Sequence, residues 1–109
     1  MQISAWKYRC RSEAAPKPKG IVGLNVGEVN RREHFGNLLE VDVEIDGTFR
    51  HFILNTLFWI SCPEIRDEKN STIIRDWLAR RGALVWKKGF PPKFTLEPLG
   101  NGRFRLVSE

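Results

Sequence analysis

Residues 38–54 constrain the fold most. Leu39, Val41, Val43 and Ile45 alternate with Glu40, Asp42 and Glu44, and the run turns at Asp46-Gly47. A period of two puts the aliphatic side chains on one face of a strand and the acids on the other. Asp-Gly supplies the positive φ angles that a tight hairpin turn requires. The chain must therefore build an antiparallel pair whose apolar face needs a cover. Two registers compete. A two-residue loop sets Val41 opposite Phe52 and Leu39 opposite Leu54, but Val43 against Arg50. A three-residue loop with a glycine bulge sets Val43 against Phe49, Leu39 against Ile53 and Asp42 against Arg50. The bulged register is the expected one, because it joins apolar to apolar and acid to base. It would also put His51 beside Val41, on the core side.

Other segments supply more strands and one cover. Residues 2–10 alternate weakly, with Trp6, Tyr8 and Cys10 on one face and Lys7, Arg9 and Arg11 on the other, as in a strand with one basic side. Pro16, Pro18 and Gly20 mark residues 11–20 as a loop or flexible arm. Beyond it Val22, Leu24 and Val26 alternate with Gly23, Asn25 and Gly27, and glycine inside a strand points to a bulge or a close backbone approach. Residues 55–62 fit a short helical turn ending before Pro63, or a continuing strand; the helical turn is preferred.

Residues 71–81 predict a helix. Ser71 is its expected N-cap, and Ile73, Ile74, Trp77 and Leu78 form an apolar stripe. Arg80 and Arg81 lie in the last turn, and Gly82 is the C-terminal cap. Ala83–Trp86 reads as a short strand and the segment around Pro91-Pro92 as a stiff loop. Phe94–Leu99 and Arg103–Val107 read as a hairpin turning at Asn101-Gly102. The expected fold is α+β: one domain, residues 1–109, with a strongly bent antiparallel sheet of six or seven short strands covered by one main helix.

Composition narrows the class. With 41% hydrophobic and 28% charged residues, four Trp and seven Phe in 109 residues, the chain can bury a core. No stretch approaches the roughly 20 apolar residues that span a bilayer. Residues 1–7 show no basic leader followed by an apolar run, so a cytoplasmic protein without membrane attachment is expected. Two cysteines, Cys10 and Cys62, are then expected to be reduced and part-buried.

Most catalytic chemistries find little support. Cys10, His34, His51 and Cys62 make a formally acceptable zinc set, but no pair has a short chelating spacing. Cys62 lies near Arg66, yet no glycine-rich turn frames it as a nucleophile. Glu40, Asp42 and Glu44 share one strand face, where acids usually meet solvent. No phosphate-binding loop appears. The expectation is a binding protein, with no catalytic residue, metal or cofactor.

Charge gives the lead. Lys7, Arg9, Arg11, Lys17, Lys19, Arg31 and Arg32 make residues 7–32 basic, and residues 33–69 are dominated by acids. Residues 75–105 are basic again, within a net charge of +5 and a pI near 9.6. Trp86-Lys87-Lys88-Gly89-Phe90-Pro91-Pro92-Lys93 interleaves aromatics with cations. Cations neutralise phosphates and exposed rings stack on bases. The expected ligand is nucleic acid or another polyanion, bound by Arg80, Arg81, Lys87, Lys88, Lys93, Arg103 and Arg105 with Trp86 or Phe90 stacking. No helix-turn-helix, zinc-finger or ribonucleoprotein motif fixes a class. The alternative is a protein–protein module, homodimeric through complementary charged faces or an edge strand. A third reading is a small-molecule pocket under the helix, lined by Phe58, Trp59 and Trp77.

Overall fold

The computed structural model describes residues 1–7, 22–54, 56–60, 63–67, 71–87 and 89–107. The expectations for residues 11–20, Cys10, Cys62 and Lys88 lie outside the described residues. Among the described residues seven strands form one sheet: β1 Gln2–Lys7, β2 Val22–Asn25, β3 Glu40–Ile45, β4 Thr48–Ile53, β5 Glu64–Arg66, β6 Lys93–Gly100 and β7 Arg103–Val107. Their order across the sheet is β4-β3-β7-β6-β1-β2-β5. The sheet curves until its edge strands β4 and β5 come into contact, giving a nearly barrel-like α+β domain. All neighbouring pairs are antiparallel except β3 and β7, which run parallel. The sheet is therefore mixed, not wholly antiparallel as expected.

The β3–β4 hairpin adopts the two-residue register. Val41 pairs with Phe52, Asp42 with His51 and Val43 with Arg50, which corrects the bulged expectation. Asp46 and Gly47 have φ of 51° and 84°, the positive pair of a type I′ turn, whose twist matches the strands. The apparent fault of this register, Val43 facing Arg50, vanishes because β4 is an edge strand. Arg50 is exposed, and its stem can cover Val43 while its head stays in water. Consequently His51 lies on the outer face beside Asp42, not in the core beside Val41.

Inside the curve lie Ile3, Ala5, Val22, Leu24, Val41, Val43, Ile45, Phe52, Ile65, Phe94, Leu96, Phe104 and Leu106. The helix α3, Ile73–Arg80, buries Ile74, Trp77 and Leu78 against them, and Trp77 meets Phe94 edge-on at 4.7 Å. Ser71 is not its cap. Thr72 holds the N-cap position without a side-chain cap bond, and the buried Asp67 carboxylate accepts the amides of Ile74 and Arg75 at 2.7 and 3.0 Å. At the other end Gly82 N–H bonds to Ala79 and Ala83 N–H to Leu78, the paired bonds of a Schellman cap. Ala83–Trp86, expected as a strand, is irregular and joins no strand of the sheet.

The short helix α2, Thr56–Ile60, matches the preferred reading of residues 55–62. A helical turn not announced by any apolar stripe, α1 Glu28–Asn30 continuing as a wide turn over Arg31–Phe35, supplies Phe35. That ring stacks on Phe104 at 4.8 Å and meets Phe58 at 5.3 Å. Among the described residues no helix is long and apolar enough to cross a membrane.

Candidate functional site

The parallel β3–β7 pairing decides which cations remain available. It sets Asp42 beside Arg103 and Glu44 beside Arg105, so the acidic and basic blocks of the sequence interleave on one outer face. Arg105 Nε lies 3.2 Å from Glu44 Oε2, with Glu97 opposite it on β6. Arg103 rests 5.5 Å from the Phe49 ring centre. Arg80 and Arg81 both reach Asp46 in the hairpin turn, Arg81 at 3.1 Å, and their hydrogen bonds hold the Asp46 carboxyl below its ordinary range. Arg81 also lies over the Trp77 ring at 4.0 Å. Four of the predicted cations thus face the acids of β3, β6 and the hairpin turn.

Histidines and carboxylates are likewise engaged. His51 Nδ1 lies 2.9 Å from Asp42 and Nε2 3.3 Å from Glu40; the Asp42 bond, aided by Glu40, raises the His51 pKa. His34 sits 4.0 Å from Glu33 on a separate element. Among the described residues no three His, Cys, Asp or Glu side chains could hold a metal. Phe58 and Trp77 are fully buried and Trp59 packs on the core, so these rings fill space under the helices.

A second cationic cluster lies elsewhere, where β1 meets the loop before β6. An open cleft of 280 Å³ is lined by Trp6, Lys7, Asn25, Trp86, Gly89 and Pro91, together with Ser4 and Ala5. Ser4 and Asn25 also line an adjoining hollow of 320 Å³ that includes Gln2, Asn30 and Lys93. The two form one groove across the outer side of β6, β1 and β2, because Ser4 pairs with both Lys93 and Asn25.

The walls follow from local sequence. Trp6 pairs with Gly23, and a Cβ on Gly23 would sit 3.2 Å from the indole and 2.5 Å from the Ile65 carbonyl oxygen. Only glycine lets the indole lie down and β5 close in. Arg66, opposite Gly23 on β5, covers the Trp6 ring at 4.9 Å. Lys7 holds its ammonium 4.4 Å from the centre of the Trp86 ring, tying the first strand to the loop. Lys87 and Phe90 stand on that loop, with Phe90 70% exposed and Lys87 5.9 Å from its ring centre. Among the described residues Lys7, Lys87 and Lys93 form no ion pair. Nearby, Glu64 is buried at 3.8 Å from Arg66, and burial pushes its carboxyl up.

Of the residues expected from sequence, the groove gathers Trp86 and Lys93, while Lys87 and Phe90 stand on the loop beside it. Trp6, Lys7, Asn25 and Arg66 were missed. The signal for Trp6 and Lys7 was present in the basic first strand and in Gly23, but it acquires meaning only when β1 lies between β6 and β2. No protein-family model, curated protein or solved structure matches the chain.

Proposed function

We propose that the chain is a small non-enzymatic domain that binds nucleic acid in the groove between β1 and the loop of residues 85–92. One observation carries this reading: Lys7 and Lys93, unpaired with acids among the described residues, line a groove walled by Trp6 and Trp86, and Lys87 stands on the adjoining loop. Cations not held by a carboxylate can release counterions from phosphates, and rings give bases a surface. Arg80, Arg81 and Arg105 contribute less, because each would first have to leave a carboxylate. Fluorescence anisotropy with labelled oligonucleotides at low and near-physiological salt tests the reading. Binding that weakens steeply with salt and is lost in Lys7→Glu with Lys87→Glu supports it; absence of binding at low salt refutes it.

A second reading rests on a different patch. Phe49 and Ile53 are 46% and 63% exposed on the outer face of the β3–β4 hairpin, opposite Glu44 and Glu40. Such a patch is the expected mark of a protein contact, including a homodimer. A solution mass of twice the monomer, lost in Phe49→Ser with Ile53→Ser, would favour it.

A further inference from the structure

We infer that the groove takes an unpaired base, so that its preferred ligand is a single strand and not a duplex; this rests on the nucleic-acid reading above. The argument starts at Phe90. Its ring is 70% exposed although it stands on a stiffened loop, where Gly89 has φ 86°, Pro91 and Pro92 follow, and the Phe90 amide closes a turn onto the Lys87 carbonyl at 2.9 Å. A large ring held in water at a fixed position is a stacking platform in waiting. The cleft lined by its chain neighbours Gly89 and Pro91, at 280 Å³, lies just below the range for drug-sized ligands and has Trp6 and Trp86 in its walls.

Asn25 adds a polar group at the junction of the two hollows. Its Oδ1 accepts the Gly27 amide at 2.9 Å, which fixes the side-chain amide and leaves Nδ2 as the donor that remains. A fixed N–H donor in an aromatic-walled cleft fits a carbonyl on a base edge, and a base can enter the cleft only when it is out of a helix.

The elements that could enter a duplex groove point the other way. Reading a duplex requires a helix or a two-stranded ribbon in the major groove. The basic end of α3 is bound to Asp46, and the β3–β4 ribbon carries Glu40, Asp42 and Glu44.

The test compares three labelled probes: an oligo(dT) single strand of about twelve nucleotides, a hairpin duplex of similar length, and heparin as a polyanion without bases. Wild type, Phe90→Ala and Lys7→Glu with Lys87→Glu are titrated with each by anisotropy, and tryptophan emission is followed. Oligo(dT) is expected to bind at least tenfold more tightly than duplex and to quench tryptophan emission, which heparin leaves unchanged. Phe90→Ala should weaken oligo(dT) about fivefold or more and leave heparin unaffected. Equal affinity for duplex, or an unaltered Phe90→Ala variant, overturns the inference; loss of all three probes in the lysine variant then still upholds the anion-binding surface. No binding of any probe to wild type overturns both.

Discussion

Asp42 stands directly beside Arg103 across the parallel pairing of β3 with β7. Roughly sixty positions of sequence separate the acid and the base that this contact joins, one from the acidic run and one from the basic run. A chain that looks divided into charged blocks therefore carries a mixed outer face on one side of its sheet. Other cations collect farther along the same outer face, around β1.

Charge reversal should separate the two groups. Lys7→Glu with Lys87→Glu should abolish oligonucleotide binding, whereas Arg80→Ala, removed from the groove, should leave it within twofold. With three lysines meeting phosphates, the slope of log K against log salt for a single strand should be about −2. A slope near zero, or equal loss in the Arg80 variant, would contradict the placement.

Asp46 should mark acid sensitivity. Its pKa is lowered by the Arg80 and Arg81 hydrogen bonds, so the ionised form is favoured in the fold. The stability it contributes is present above the ordinary 3.8 and is lost as pH falls through the lower folded value. Asp46→Asn keeps an Asn-Gly turn while removing the charge. It should cost at most about 1 kcal/mol at pH 7, since the pair is solvent-screened, and nothing below the folded pKa; urea unfolding at several pH values checks this.

His51 has the opposite sign. The Asp42 hydrogen bond and the nearby Glu40 raise its pKa above 6.5, so the protonated ring is favoured in the fold. That contribution is complete below 6.5 and disappears as pH rises through the folded value. Proton NMR should give His51 a titration midpoint above 6.5, and thermal melts of His51→Gln should lack the wild-type decline over that interval.

Asp67 separates capping from charge. Asp67→Ala removes both amide acceptors of α3 and should cost about 0.5–2 kcal/mol. Burial raises the Asp67 pKa from 3.8 despite those bonds, so its ionisation subtracts stability as pH climbs above 3.8 through the folded value. Asp67→Asn should retain the helix and flatten that decline. Chemical denaturation at pH 4 and pH 7 reads both effects.

Gly23→Ala should be among the costliest single changes. The added methyl would meet the Ile65 carbonyl oxygen at 2.5 Å, a backbone atom that cannot swing aside. A loss of about 1–3 kcal/mol or more is expected, with Trp6 displaced. A melting temperature equal to wild type would show that β5 can move away.

Much of the fold was legible because its signals are local. Period-two alternation marks β3, an apolar stripe marks α3, and Asp46-Gly47 and Asn101-Gly102 mark turns whose φ angles few other residues adopt. Gly23 announced a close approach without saying to what. The helical turn at 28–35 gave no stripe, since Phe35 alone is buried there. The three residues of β5 are too few to show a period.

By itself, then, the sequence determined the fold class, the two hairpin turns and the main helix. Tertiary structure alone decided the hairpin register, the cap on α3 and the make-up of the groove. The register turned on β4 being an edge, where Arg50 reaches water. The cap came from Asp67, brought to α3 by the β2–β5 pairing rather than by adjacency to the helix start. The groove required β1 between β6 and β2, joining Trp6 and Lys7 to a loop some eighty residues later in the chain. Pairing between distant strands is set by how whole apolar faces close around one core, and no short window of sequence encodes it.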